Sequence, residues 1–217
     1  YDTTNRCFVH TNNPYSQYGY YFLTDATATK EMETVASAAG ASLKITTFDD
    51  YRVYEKDLVS VNNSGRELFG EAMDMTLSRD FSFNGITGIT NDDGKVTLRF
   101  IAKPTSGTGS VTLSIGGSEL ISRTISYSAS SDEYTKANLA YEVADWKGEK
   151  SANTKVNVRY GQYGHKNVYL DFIRLQMVRE LQPYGACTFF RSLASVNNSS
   201  RFVVQNANAN TLVFDVT

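Results

Sequence analysis

The chain has 217 residues, of which 21 are Lys or Arg and 23 are Asp or Glu, so its formal net charge at pH 7 is −2. This balance disfavours nucleic-acid binding, because no cationic excess is available to neutralise a phosphate backbone. A hydrophobic content of 41% is enough for a packed core, and no apolar run reaches the roughly 18 residues that a membrane span needs. The many Tyr, Phe, Thr and Val residues favour β-structure.

The N-terminal part contains an aromatic stretch and then the best helical window. Residues 13–22 carry alternating aromatic side chains, which are typical of cross-strand pairs in a sheet and, as an alternative, of a sugar-stacking face. Farther along, Met32, Val35, Ala36 and Ala39 follow helical spacing, with Gly40 as a stop signal. Because β-signals dominate elsewhere, we expect little helix beyond this window.

Period-two alternation of apolar and polar residues predicts a series of strands along the rest of the chain. One-sided apolar faces of this kind suit antiparallel sheets, which leave one face in water. The apolar sets are Met73, Met75, Leu77, Phe81 and Phe83; Val96, Leu98 and Phe100; Val111, Leu113 and Ile115; Val156, Val158 and Tyr160; and Leu212, Phe214 and Val216.

Turn residues separate these strands. Asn, Asp and Gly cluster at 84–85, 91–94, 106–109 and 116–117, where they tolerate the positive φ of a chain reversal. The strands at 96–101 and 111–115 are therefore predicted to form a hairpin, with a further strand at 119–127. The period of residues 131–146 is ambiguous. Short strands at this spacing indicate a β-sandwich or jelly roll.

The strand at 168–177 contains an irregularity. Its apolar residues keep one parity up to Phe172 and the other parity from Ile173 onward. One extra residue in a strand produces such a change, so we predict a β-bulge here. Leu170 and Phe172 should then fill one core region and Ile173, Leu175 and Met177 another. Asp171 should accept hydrogen bonds from backbone donors that the bulge leaves free; the alternative is a solvated Asp171.

A cysteine nucleophile is the first catalytic possibility to test. Cys187 and His165 are a possible nucleophile and base, but residues 185–190 are predicted to form an apolar strand, where a buried thiol is inert. We expect Cys7 and Cys187 to be buried and unpaired; a long-range disulfide is the alternative. No catalytic residue, cofactor site or metal site is predicted.

Two surface motifs have simple explanations. Asn91-Asp92-Asp93-Gly94 offers carboxylates to a cation but lacks the spacing of a calcium loop, so a plain turn is predicted. Glycan-acceptor triplets begin at Asn62, Asn197 and Asn198, and they have meaning only in a host that glycosylates them.

Three stretches together resemble one protein family. They are His10–Ser16 with Tyr20–Thr24; Phe48–Tyr51 with Tyr54–Asp57 and Ser64–Glu71; and Val168–Leu175 with Phe189–Arg191 and Leu212–Thr217. Their order and spacing are similar to the region that precedes the catalytic domain in PorU-type sortases, the gingipain-type cysteine peptidases of the type IX secretion system. The family's catalytic domain begins after the Phe-Asp-Val-Thr stretch, so neither Cys7 nor Cys187 matches a catalytic position.

The resemblance implies a protein exported to the outer-membrane surface of a Gram-negative bacterium. Its partners would be a downstream peptidase domain, an outer-membrane β-barrel anchor and secreted cargo, whose C-terminal signal the peptidase removes. The start at Tyr1, without Met or a signal-peptide core, leads us to expect a fragment or a processed product.

The predicted fold is all-β, mainly antiparallel. Residues 1–43 are expected to be the end of a preceding β-rich domain plus a linker, and residues 44–217 a jelly-roll-like β-sandwich. The predicted function is non-enzymatic support of the peptidase domain. The alternative is a carbohydrate-binding module for surface polysaccharide.

Overall fold

The computed structural model is a sandwich of two four-stranded antiparallel sheets with a small parallel pair beside it. It describes residues 1–13, 16, 18–20, 22, 25, 33–34, 36, 40–61, 65, 67–127, 137–162 and 164–215. The strands are β1 (Leu43–Ile45), β2 (Thr47–Glu55), β3 (Ser78–Phe83), β4 (Gly94–Lys103), β5 (Thr108–Ile115), β6 (Ser118–Ser126), β7 (Asn138–Trp146), β8 (Thr154–Tyr160), β9 (Lys166–Glu180) and β10 (Ser200–Phe202).

The strand order is that of a jelly roll. One sheet runs β2-β9-β4-β7 and the other β3-β8-β5-β6, so the chain changes sheet at every connection from β2 to β9 except β5 to β6. Such double Greek-key order is the defining topology of a two-sheet jelly roll. The predicted all-β antiparallel sandwich is confirmed.

The core lies between the two sheets and follows the alternation in the sequence. Val96, Leu98 and Phe100 on β4 are fully buried, and they meet Val111 and Leu113 on β5 across the sandwich. Burying each such side chain stabilises the fold by about 1.5–3 kcal/mol relative to leaving it exposed. The predicted strands at 96–100, 111–115 and 156–160 are confirmed.

The predicted hairpin between residues 96–101 and 111–115 is wrong. β4 and β5 belong to different sheets, and β5 pairs instead with β6, the strand expected at 119–127. The turn of that hairpin contains Gly116 and Gly117, at φ of +59° and +82°. Two consecutive positive φ values are the geometry that glycine adopts without strain. The connection from β4 crosses the sandwich, which alternation within a strand cannot reveal.

Three predicted strand segments differ in the structure. β3 begins only at Ser78, and Met75 is 84% exposed in the loop before it. Residues 185–190 follow the end of β9 without forming a strand, and Phe189 is 71% exposed. Residues 211–215 are likewise irregular and Leu212 is exposed, while Val216 lies outside the described residues. Apolar alternation alone therefore does not determine that a segment forms a strand.

Several expectations concern parts of the chain that the structure does not decide. Most of the helical window, including Met32, Val35 and Ala39, lies outside the described residues, as do 128–136. The remainder of the ambiguous 131–146 segment contains β7. The boundary between residues 43 and 44 stays a prediction. Within the described part of the chain, no helix has both the length and the apolar character to cross a membrane.

Candidate functional site

Polar side chains cover one face of the β2-β9-β4-β7 sheet, the face turned away from the core, which we call the outer face. Strand register aligns three rows of side chains across the four strands. They are Tyr51, Gln176, Lys95 and Asp145; Val53, Arg174, Thr97 and Val143; and Glu55, Phe172, Arg99 and Tyr141. Arg174 is only 2% exposed, so this face includes a buried charge.

A β-bulge in β9 determines which residues reach this face. Arg99 pairs with Phe172 and the next residue, Phe100, pairs with Leu170, which leaves Asp171 as the extra residue. The predicted bulge is confirmed, but the predicted division of the core is wrong. Leu170 joins Ile173 in the sandwich core, whereas Phe172 lies on the outer face, because the extra residue precedes Phe172 rather than follows it.

Asp171 is 3% exposed and forms an ion pair with Arg99, which also binds Glu67. Burial raises the pKa of the Asp171 carboxyl to about 6, and the attraction of Arg99 opposes that shift only in part. Asp171 does accept a hydrogen bond at the bulge, but its donor is the Arg99 guanidinium and not one of the expected backbone N–H groups.

The first twelve residues form a strap over the outer face; we use "the strap" for residues 1–12. The strap begins with a turn in which Asp2 and Cys7 exchange backbone hydrogen bonds of 2.9 and 3.2 Å. The Asp2 carboxylate accepts hydrogen bonds from the turn, which fixes its shape. Next, the Phe8 backbone N–H donates to Gln176 Oε1 at 2.8 Å, and the Phe8 ring stacks on Tyr51.

A chain of three polar side chains joins the strap to the sheet. Arg174 Nη1 lies 3.0 Å from His10 Nδ1, and His10 Nε2 lies 2.9 Å from Glu55 Oε2. A guanidinium can only donate, so His10 Nδ1 is the acceptor and Nε2 carries the proton donated to Glu55. The His10 ring also meets the Phe172 ring edge-on at 4.6 Å. In the sequence, His10 is 45 positions from Glu55 and 164 positions from Arg174, so these hydrogen bonds join distant parts of the chain.

The Arg174 nitrogen Nη2 has neutral partners among the described residues. Thr97 Oγ1 and Tyr141 Oη each lie 3.3 Å away, and the buried thiol of Cys7 lies 3.7 Å away. The strap therefore covers the guanidinium and supplies two of its contacts, through Cys7 and His10. Cys7 is free and buried, as predicted.

A cavity of about 580 Å³ opens beside the strap. Its walls are strap residues 9–12 on one side and the outward side chains of β2 on the other, namely Tyr51, Val53 and Glu55. Asn12 Nδ2 donates to Glu55 Oε2 at 2.7 Å, so the strap closes one end of this space.

The structure does not bring Cys187 and His165 together. His165 directly precedes β9 and Cys187 follows it, and fifteen strand residues rise about 50 Å. His165 is buried, with its Nδ1 2.6 Å from Tyr160 Oη. Cys187 is exposed and free, so its predicted burial is wrong: the apolar strand expected around it does not form.

The two surface motifs have ordinary surroundings. Residues 91–93 form the loop before β4, where Asp92 accepts a hydrogen bond from Thr90 and Lys147 lies 3.9 Å from Asp93. Among the described residues, no group of three or more His, Cys, Asp or Glu side chains is arranged to hold a metal ion. Of the glycan triplets, Asn62–Ser64 lies outside the described residues, whereas Asn197 and Asn198 are exposed.

The sequence analysis missed His10, Glu55 and Arg174. One signal was available: the strand predicted at 168–177 contains two charged residues, Asp171 and Arg174, among mainly apolar ones. When a strand is buried on both faces, a charged side chain on either face needs polar partners on that face. Which partners those are depends on contacts far apart in the chain.

Comparison with known proteins gives a likeness at the level of the fold. No protein-family model and no curated protein matches the chain. The crystal structure of dimeric latent PorU from Porphyromonas gingivalis matches 81% of this chain with a TM-score of 0.72 and 22% identity, and the match covers 17% of the PorU chain. The two proteins thus share a fold.

Two other solved structures are more distant. A family 35 carbohydrate-binding module from Clostridium thermocellum matches 60% of this chain and 98% of its own, with a TM-score of 0.34 and 13% identity. The insecticidal delta-endotoxin Cry8Ea1 from Bacillus thuringiensis matches 46% of this chain and 18% of its own, with a TM-score of 0.34 and 17% identity. These scores are too low to support a functional comparison.

Proposed function

We propose that this chain is a non-catalytic jelly-roll module of a PorU-like sortase of the type IX secretion system. In that protein it supports or positions a cysteine peptidase domain, which removes the C-terminal signals of cargo and attaches cargo to the cell surface. The observation that carries the proposal is the PorU-like fold over 81% of the chain. The sequence stretches that resemble PorU-type sortases agree with it.

The separation of Cys187 from His165 is consistent with a supporting function. The one nucleophile–base pair considered from the sequence is split between opposite ends of β9. The 217-residue chain should therefore show no peptidase or transpeptidase turnover. Turnover that disappears in Cys187→Ala would overturn the proposal and restore an enzymatic function.

The full reading frame gives the first test and cargo processing the second. We expect the frame to encode a gingipain-type peptidase domain after residue 217, in a protein exported to the outer-membrane surface. In that full-length protein, Phe172→Ala should leave cargo with its C-terminal signal attached although the catalytic cysteine is intact. The control is Phe189→Ala, since Phe189 is exposed. Normal processing by a normally abundant Phe172→Ala variant would contradict a positioning function.

Carbohydrate binding is the second candidate, and one observation favours it. Tyr18, Tyr20 and Phe22 are largely exposed rather than packed in cross-strand pairs. Exposed aromatic rings present apolar faces on which a sugar ring can stack. A glycan array with the chain and its Tyr20→Ala variant distinguishes the two candidates, because a supporting module has no need of glycan binding that depends on Tyr20.

A further inference from the structure

The cavity between the strap and β2 has the dimensions of a ligand site. Its volume of about 580 Å³ lies within the usual range for small-molecule pockets, roughly 300–1,000 Å³. Its lining is mainly polar, with Val9 and Val53 as the two aliphatic side chains and Glu55 as the carboxylate. An open polar pocket with one oriented carboxylate and two aliphatic contacts favours a ligand with a cationic end on a short aliphatic stem.

Among the described residues, no Lys or Arg side chain is in direct contact with the Glu55 carboxylate. Its two hydrogen-bond donors among the described residues are the Asn12 amide and the His10 imidazole, and both bind Oε2. His10 is neutral in this arrangement, because its Nδ1 accepts from Arg174. A carboxylate has about four acceptor positions, so Oε1 of Glu55 retains capacity for a further donor.

Three cationic residues that the structure describes near Glu55 bind other groups. Lys56 follows Glu55 in sequence, but its ammonium lies 2.9 Å from Glu71 Oε1, on the opposite face of β2. Arg52 pairs with Asp50 at 2.8 Å. Arg174 is held behind the His10 ring and contacts neutral atoms. Burial and the charge of Glu55 both raise the pKa of Asp57, which agrees with an uncompensated negative field at this end of β2.

From this geometry we infer that the cavity binds an aliphatic ammonium or guanidinium group, with Glu55 accepting its hydrogen bonds and Val9 and Val53 packing on its stem. The ligand group has two sources, a Lys or Arg side chain of an extended peptide or a free alkylamine. The inference goes beyond the proposed function and does not depend on it. His10 donates to the same carboxylate and positions it, and the guanidinium behind the ring polarises that donor.

The test is an NMR titration of the 217-residue chain, observing Val9, Val53 and the tyrosine rings. The probes are the tripeptide acetyl-Ala-Lys-Ala-amide, its Arg counterpart, the same peptide with acetylated lysine, and n-butylamine. We expect saturable shifts with the Lys and Arg peptides and at least tenfold weaker binding of the acetylated peptide. If butylamine binds as tightly as the Lys peptide, a free alkylamine is sufficient as the ligand. If butylamine binds much more weakly, the ligand is a side chain of a peptide.

Two variants assign the effect to Glu55. Glu55→Gln keeps the acceptor for Asn12 and His10 but removes the charge, and it should weaken binding at least tenfold. Glu142→Gln on β7 removes the same charge from a carboxylate that pairs with Arg123, and it should leave binding unchanged. In both variants, the Cys7 thiol should stay protected from a thiol reagent, which checks that the strap remains in place.

The inference fails on any of three results. They are no saturable binding of either cationic peptide, equal binding of the acetylated peptide, or equal weakening by Glu55→Gln and Glu142→Gln. The acetylated-peptide comparison uses the unmodified protein, so it decides the matter even if Glu55→Gln displaces the strap. None of these results bears on the proposed support of a peptidase domain.

Discussion

Truncation of Phe172 should show how much the outer face contributes to stability. Phe172 is 9% exposed, meets the His10 ring at 4.6 Å and lies 5.5 Å from the Arg174 guanidinium. Phe→Ala in a core costs about 3–5 kcal/mol. Since Phe172 lies beneath the strap rather than between two sheets, the strap can partly collapse into the space left behind. We therefore expect Phe172→Ala to lower the free energy of unfolding by about 3 kcal/mol.

The measurement is urea unfolding followed by the fluorescence of Trp146, the single and buried tryptophan. Phe189→Ala is the matched control, because the same truncation at a 71% exposed site should change stability by less than about 0.5 kcal/mol. Cys7 should also become reactive in Phe172→Ala as the strap loosens. A Phe172→Ala variant as stable as the control, with Cys7 still protected, would refute the assignment of Phe172 to a packed layer beneath the strap.

Three further predictions use single sites. Because burial raises the pKa of Asp171 from 3.8 to about 6, the folded state holds this proton more tightly than the unfolded chain, so stability should fall as pH rises from 4 to 6. The unfolding free energy of the wild type relative to Asp171→Asn should fall by about 2 kcal/mol over that range, and a pH-independent difference would count against the burial argument. Exposed Cys187 should react with a thiol reagent in the native state and buried Cys7 only after unfolding; equal rates would contradict the described strap. Gly109→Ala should cost about 1–3 kcal/mol, because its Cβ would collide with a tyrosine hydroxyl, whereas Gly19→Ala meets nothing and should be neutral by urea unfolding.

The sequence predicts the strands better than their partners. β4, β5 and β8 follow from alternation, because an apolar side chain on every second residue fits only a pleated strand with one buried face. Pairing is determined by contacts between distant residues. The hairpin expected between β4 and β5 was the wrong choice for that reason, although Gly116 and Gly117 marked the hairpin that does form.

The candidate site was harder to predict than the fold. The bulge is visible as a change of parity, but parity does not say whether the extra residue precedes or follows Phe172, and this decides which face Phe172 occupies. His10, Glu55 and Arg174 form no local motif, and each is an ordinary polar residue until the strap and two strands meet. Their association follows from tertiary packing alone.

The position of β9 has a consequence for how the protein folds. β9 is the last strand of the sandwich to leave the ribosome, yet it separates β2 from β4, and Thr47 of β2 pairs with Glu180 at its far end. The edges of β2 and β4 that face β9 have no backbone partner until β9 is synthesised. The sheet can form only when β2 and β9, which are far apart in the sequence, come together. Such a high contact order predicts folding in milliseconds to seconds rather than microseconds. Nascent chains that stop before residue 166 should therefore be prone to aggregation through the exposed edges of β2 and β4.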